Sequence, residues 1–235
     1  MVKRGYLLLG CTIAFFSTFE VVNRAIAEKI SLEQVNFLRF FIGGLVLVPF
    51  AIRSLKSSGM PDIKKILAAV PVGILNVSIS TLLLQLSIKN FGAAVPAVIF
   101  SCNPVFVAAF SSAILKERLT WHKAAGLILG CTGVAVISVD GLKAGGTALA
   151  GVLFAVLSSI TYGLYTVLGK KSAMKLGSLL MNTVSFISGS IFLIPVLLAM
   201  GQPVLRFDLS VAVPVLYLSV CVSGIAYIAY FAALR

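Results

Sequence analysis

The sequence predicts an all-α polytopic membrane protein of about eight transmembrane helices. Three observations carry that prediction. The chain is 60% hydrophobic and only 11% charged, with a mean hydropathy of +1.09. Its apolar runs are long enough to cross a bilayer. Its lysines and arginines alternate from one side of those runs to the other. A water-soluble domain is nearer half apolar and a quarter charged, so there is too little polar surface here to coat a core in water. A bilayer as solvent removes that requirement.

Roughly twenty apolar residues, each rising about 1.5 Å, span the hydrocarbon. Such runs lie near residues 6–23, 35–52, 66–87, 93–115, 123–139, 148–168, 179–200 and 211–234. The links between them are short and punctuated, as at Ser57-Ser58-Gly59-Met60-Pro61, Asn90-Phe91-Gly92, Gly145-Gly146 and Gly201-Gln202-Pro203. The start, Met-Val-Lys-Arg before an apolar run, imitates a signal peptide. It shows no small-residue cleavage site and is read as a retained first helix.

Net charge is +12, a balance that in another setting would suggest nucleic acid. Here the cations sit in short clusters between apolar runs, and the partner they imply is the lipid bilayer rather than nucleic acid. Of the 19 lysines and arginines, 13 fall on the side that holds the N-terminus, five on the other, and Arg39 falls within a span. Positive charge accumulates on the cytoplasmic side. The expected location is therefore the cell membrane, a bacterial inner membrane, with the N-terminus cytoplasmic. Cys11, Cys102, Cys131 and Cys221 each lie in apolar runs without a Cys-x-x-Cys pair and read as small packing residues. With His122 the single histidine, no metal site and no cofactor is expected.

The chain also repeats itself. Arg39-Phe40-Phe41-Ile42-Gly43-Gly44 aligns with Val184-Ser185-Phe186-Ile187-Ser188-Gly189, and residues 79–89 align with 225–235. The division is 1–140, a five-helix repeat, and 148–235, a second repeat of three helices. Five is odd, so the second copy crosses the membrane in the opposite sense. Inverted repeats of this kind build secondary transporters, with the substrate site near the midplane.

Charge within a span costs roughly 2.5–3.5 kcal/mol at its centre. Glu20, late in the first span, and Arg39, early in the second, lie at equal depth, roughly 6–8 Å below the outer surface. They read either as a pair fixing helix packing or as a gate or coupling group. Arg24, one turn from Glu20, competes as a partner. Counting about ten residues in from the span ends reaches a neutral polar midplane. It holds Asn76, Asn103 with Pro104, Ser158, Ser159, Tyr162, Ser219 and Cys221. These residues read as helix glue or as the lining of a substrate pathway. Pro104 removes one donor and frees a carbonyl in the preceding turn, where a substrate beside Asn103 would meet it. Tyr165, Tyr227 and Tyr230 add aromatic surface, with an interfacial position the better reading for Tyr230 and Tyr165. Gly126, Gly130 and Gly133 line one face of the fifth span and invite close helix approach. Lys116-Glu117-Arg118 reads as a solvated cytoplasmic turn.

These features resemble the EamA-type family of the drug/metabolite transporter superfamily. The resemblance rests on Asn103-Pro104, on Lys116-Glu117-Arg118-Leu119-Thr120 before the glycine-rich fifth span, on Arg39-Phe40, and on residues 230–235. It implies ten helices in two sets of five. The last two, about 50 residues judged from 90–139, have no counterpart here, because Arg235 aligns with Lys89. The glycine face of the fifth span then meets lipid or, in a homodimer, a second copy. The resemblance implies a secondary transporter that exports small organic metabolites, such as amino acids or drugs, by alternating access. The alternative is a non-transporting membrane subunit or a truncated inactive fragment. Catalysis needs convergent titratable groups. The spans offer only Glu20 and Arg39, with Asp140 at a helix end, so no catalytic residue and no enzyme is expected.

Overall fold

The computed structural model describes residues 2–26, 28–92, 94–117, 120–144, 146–202 and 209–233, all helix or short connection with no strand among them. Helix α1 covers Val2–Ile26 and α2 covers Leu32–Ser58. The start of α2, three residues before the predicted apolar run, is set by capping: the Ser31 hydroxyl accepts from the Gln34 N–H at 3.3 Å. Gly59, at φ 82°, ends it.

The third span is one apolar run in sequence but four pieces in the structure: α3 (Ile63–Leu67), α4 (Val70–Gly73), a π-helical segment π1 (Ile74–Ser80) and α5 (Thr81–Phe91). Asp62 caps α3 through the Lys64 N–H at 3.0 Å, and Pro71 opens α4, where its missing N–H costs nothing. The fourth span breaks likewise into α6 (Ala94–Phe100) and α7 (Asn103–Ile114), with Pro104 in the first turn of α7. Helices α8 (Trp121–Ala144), α9 (Gly146–Leu176) and α10 (Ser178–Ala199) follow, and α11 (Leu209–Tyr217), π2 (Leu218–Ile225) and α12 (Ala226–Ala233) form the last span.

Among the described residues, seven helical stretches are long and apolar enough to cross a membrane. The remaining expected span, the fifth in order, coincides with α8, whose apolar described part is the shorter Ala124–Gly133. The Lys116–Glu117 turn is not merely solvated. Lys116 takes a left-handed φ of 57°, and the Ser111 hydroxyl donates to the Glu117 carboxylate at 2.9 Å, tying the turn to the end of α7.

The chain packs as two compact units, residues 1–78 with 169–235, and residues 79–168. In the first, α2 lies against α10 and π2, α10 against α4, and α1 against α12. Phe40, Phe186, Leu193, Leu197 and Phe231 are fully buried there. The Thr12 hydroxyl donates to the Ala226 carbonyl at 3.3 Å, and the Thr18 hydroxyl meets the Tyr217 hydroxyl at 2.8 Å. In the second unit, Ile99, Val152 and Ala155 form the core, with Val95 and Val156 against it.

Candidate functional site

The first unit holds a buried cation. Arg39, two turns into α2, is 4% exposed. A guanidinium out of water needs compensation, and two ring faces supply part of it. Its Cζ stands 4.4 Å from the Phe19 ring centroid and 4.3 Å from that of Phe40. Rings stack well on a planar, weakly hydrated cation. Phe40 continues into an aromatic cluster, 4.9 Å from Phe186, which lies 5.2 Å from Tyr227, which in turn lies 5.2 Å from Phe16. Tyr227 is thus core, as is Tyr165 in the second unit, which is fully buried 5.3 Å from Tyr162 rather than interfacial. The side chain of Glu20 lies outside the described residues, so its expected pairing with Arg39 is not part of this geometry.

One turn before Arg39, Asn36 donates from Nδ2 to the Val77 carbonyl in π1 at 2.9 Å. Asn76, predicted as pathway-lining, is fully buried in the same π-helical turn. Segments of this kind are rare and gather at functional sites. Ser219 sits in π2, with its hydroxyl on the Val215 carbonyl at 2.6 Å and its own carbonyl 2.9 Å from where a Cβ on Gly43 would stand. It acts as a packing surface for α2.

The second unit collects Asn103, Pro104, Ser158, Ser159 and Tyr162. Pro104 has no N–H, so the Phe100 carbonyl, four residues earlier, loses its helical donor. Two predicted residues replace it: Asn103 Nδ2 at 3.0 Å and the Ser159 hydroxyl at 3.2 Å. Ser159 also reaches the Ile99 carbonyl at 3.0 Å, and Tyr162 packs edge-on against Phe100 with centroids 5.0 Å apart. The carbonyl that sequence reasoning offered to a substrate is therefore already capped by its neighbours. Ser158, on the adjacent face of α9, forms a reciprocal pair with Ser80. Each hydroxyl donates to the other residue's carbonyl, at 2.7 and 3.0 Å. Pairs of this kind within membranes average about 0.6 kcal/mol. Ser158→Ala is therefore expected to lower the thermal midpoint by one to a few degrees and leave substrate affinity unchanged, checked by thermal unfolding and a binding isotherm on the same protein.

The predicted packing glycines divide. A Cβ on Gly130 would come 2.8 Å from Val105 Cγ2, while no described atom lies within 4 Å of the corresponding place at Gly126 or Gly133. The closest helix approaches use glycines that the sequence did not single out. Gly73 meets the Ser185 backbone, Gly189 the Gly73 carbonyl, and Gly163 the Phe106 side chain. The phenylalanine before Glu20 and the asparagine one turn before Arg39 were the available signals for the surroundings of the cation. Among the described residues there is no group of three or more histidine, cysteine or acidic side chains able to hold a metal.

The sequence model of the EamA-like transporter family matches residues 3–139 and 149–235. A protein of Clostridium kluyveri named as an uncharacterized transporter is 31% identical over 99% of this chain and 78% of its own length. One from Streptantibioticus cattleyicolor, named "probable terminal-alkyne amino-acid exporter", is 27% identical over 59% of this chain and 46% of its own. A crystal structure superposes on 100% of the chain and 80% of its own with a TM-score of 0.75 at 17% identity, a likeness of fold.

Proposed function

The chain belongs to the EamA-like transporter family, and from that premise we propose that this multi-pass membrane transporter exports small organic solutes of the amino-acid type. The family match over both segments of the chain carries the reading. The amino-acid class is supported by the likeness to the Streptantibioticus exporter. In this reading the two repeats alternate access to the solute, with the N-terminus on the cytoplasmic side. Arg39 is the coupling or gating charge, because a cation kept in an apolar span against its desolvation cost has work beyond packing.

Counterflow in proteoliposomes loaded with the 235-residue chain tests this. Accumulation of a labelled amino acid against unlabelled solute is expected to exceed that of protein-free vesicles at least tenfold. Rates equal to protein-free vesicles across neutral, acidic, basic and aromatic amino acids would remove the solute class. In the same reading the Glu20 carboxyl takes up and releases the coupled proton, and Glu20→Gln is expected to abolish the response of flux to an imposed pH gradient. Flux that keeps the parent's response at every pH would remove proton coupling through that carboxyl.

A further inference from the structure

Beside the break in the fourth span lies a feature that the transport reading does not use. Within residues 79–168 lies a cavity of about 170 Å³ bordered by both Cys102 and Cys131. The other lining groups, Ile99, Val105, Phe106 and Ala135 among them, are hydrocarbon. The two sulfurs arrive from different helices for a structural reason. Cys102 caps α7 two residues after α6 ends, and its Sγ lies 3.8 Å from the Val98 carbonyl and 3.7 Å from the Gly130 carbonyl. Gly130 immediately precedes Cys131 and has no room for a Cβ against Val105. Helix α8 therefore packs closely on α7 next to its thiol. Cys131 is exposed and Cys102 half-buried, so both are reachable.

We propose that Cys102 and Cys131 form a two-sulfur site for a thiophilic divalent d10 metal ion, held as its neutral bis-thiolate. The walls choose the charge. A cavity of hydrocarbon penalises any net charge. Binding breaks two S–H bonds, forms two S–metal bonds and releases two protons, with no change of oxidation state. A divalent ion then leaves a neutral complex, whereas a monovalent one leaves a net negative charge against hydrocarbon walls. The donors choose the softness. Two sulfurs suit an ion content with linear two-coordination, while zinc takes four ligands and calcium or magnesium take oxygens that this cavity does not offer. Cys11 and Cys221 do not line the cavity and are replaced in the test so that only the two cavity thiols remain.

Mercury(II) chloride is the probe. The detergent-solubilised full chain carrying Cys11→Ser and Cys221→Ser is titrated while free thiols, released protons and ultraviolet thiolate-to-metal absorption are followed. One equivalent is expected to mask both remaining thiols, release two protons and leave a monomeric complex that resists a tenfold excess of a monothiol. Adding Cys102→Ser or Cys131→Ser is expected to weaken binding at least a hundredfold. Cys102→Ala and Cys131→Ala serve as second variants, scored only where gel filtration returns the parent's elution volume. Masking of one thiol per metal, a metal-bridged dimer, or equal affinity in the single-thiol variants would overturn the proposal.

Discussion

Alanine at Gly73 is expected to destabilise the chain by about 3 kcal/mol or more, the upper end of what overpacking costs. A Cβ at this position would stand 2.6 Å from both Cα and C of Ser185 and closer still to its carbonyl oxygen. Gly189 makes the reverse approach to the Gly73 carbonyl, so α4 and α10 are in contact main chain to main chain. A side chain can rotate away from an intruding methyl group; two helical backbones move only by separating the helices. Separation would also strain the bonds from Ser185 to the Ala69 carbonyl at 3.2 Å and from Ser78 to the Gly189 carbonyl at 2.7 Å. At roughly 2–4 °C per kcal/mol for a chain of this size, the thermal midpoint in detergent falls by about 10 °C. Gly126→Ala is the opposite-signed control. No described atom lies within 4 Å of the added methyl, and alanine is favoured over glycine within a helix by about 1 kcal/mol. Equal midpoints for the two variants would refute the backbone contact.

The second large effect is on transport. Arg39→Met keeps length and apolar bulk while removing the charge, and is expected to lower the counterflow rate at least tenfold and the thermal midpoint by a few degrees. The two halves of that expectation have separate causes. Removing one partner of a buried charged contact destabilises because it strands the other, and both ring stacks are lost with the guanidinium. Gating or coupling, by contrast, needs the charge itself. Arg39→Lys retains charge but loses the planar stack between Phe19 and Phe40. A desolvated cation–π contact is worth about 2 kcal/mol, so lysine should recover only part of the rate. Parental flux in Arg39→Met would reduce the residue to a packing element.

Much of the fold was legible because hydropathy is additive along a chain. The helical class follows from local composition, as do seven of the eight expected spans as membrane-length helices among the described residues, and the Pro104 break was readable from one residue type whose missing N–H acts on its own helix. The third span was not readable in the same way. Nothing apolar or polar in residues 74–80 marks a π-helical turn, because its extra residue per turn is accommodated by neighbours such as Asn36. The candidate residues were read either as helix glue or as pathway lining, and for Ser158 and Ser159 the hydrogen bonds show glue between helices. Ser158 and Ser159 are adjacent, yet one donates to Ser80 and the other to the carbonyl that Pro104 frees.

The sequence by itself determined the solvent this protein folds in, the family it belongs to and the residues at which polar groups enter the spans. Those are sums and patterns over neighbouring positions. Only the tertiary structure decided which partner each polar group takes: rings for Arg39, a freed carbonyl for Asn103 and Ser159, a reciprocal bond for Ser158 and Ser80. It also decided which glycines bring helices into contact, Gly73 and Gly189 rather than Gly126 and Gly133. In an apolar solvent every polar group must find a partner within the protein, and which one lies within 3 Å depends on how distant helices pack, a relation that no stretch of neighbouring residues contains.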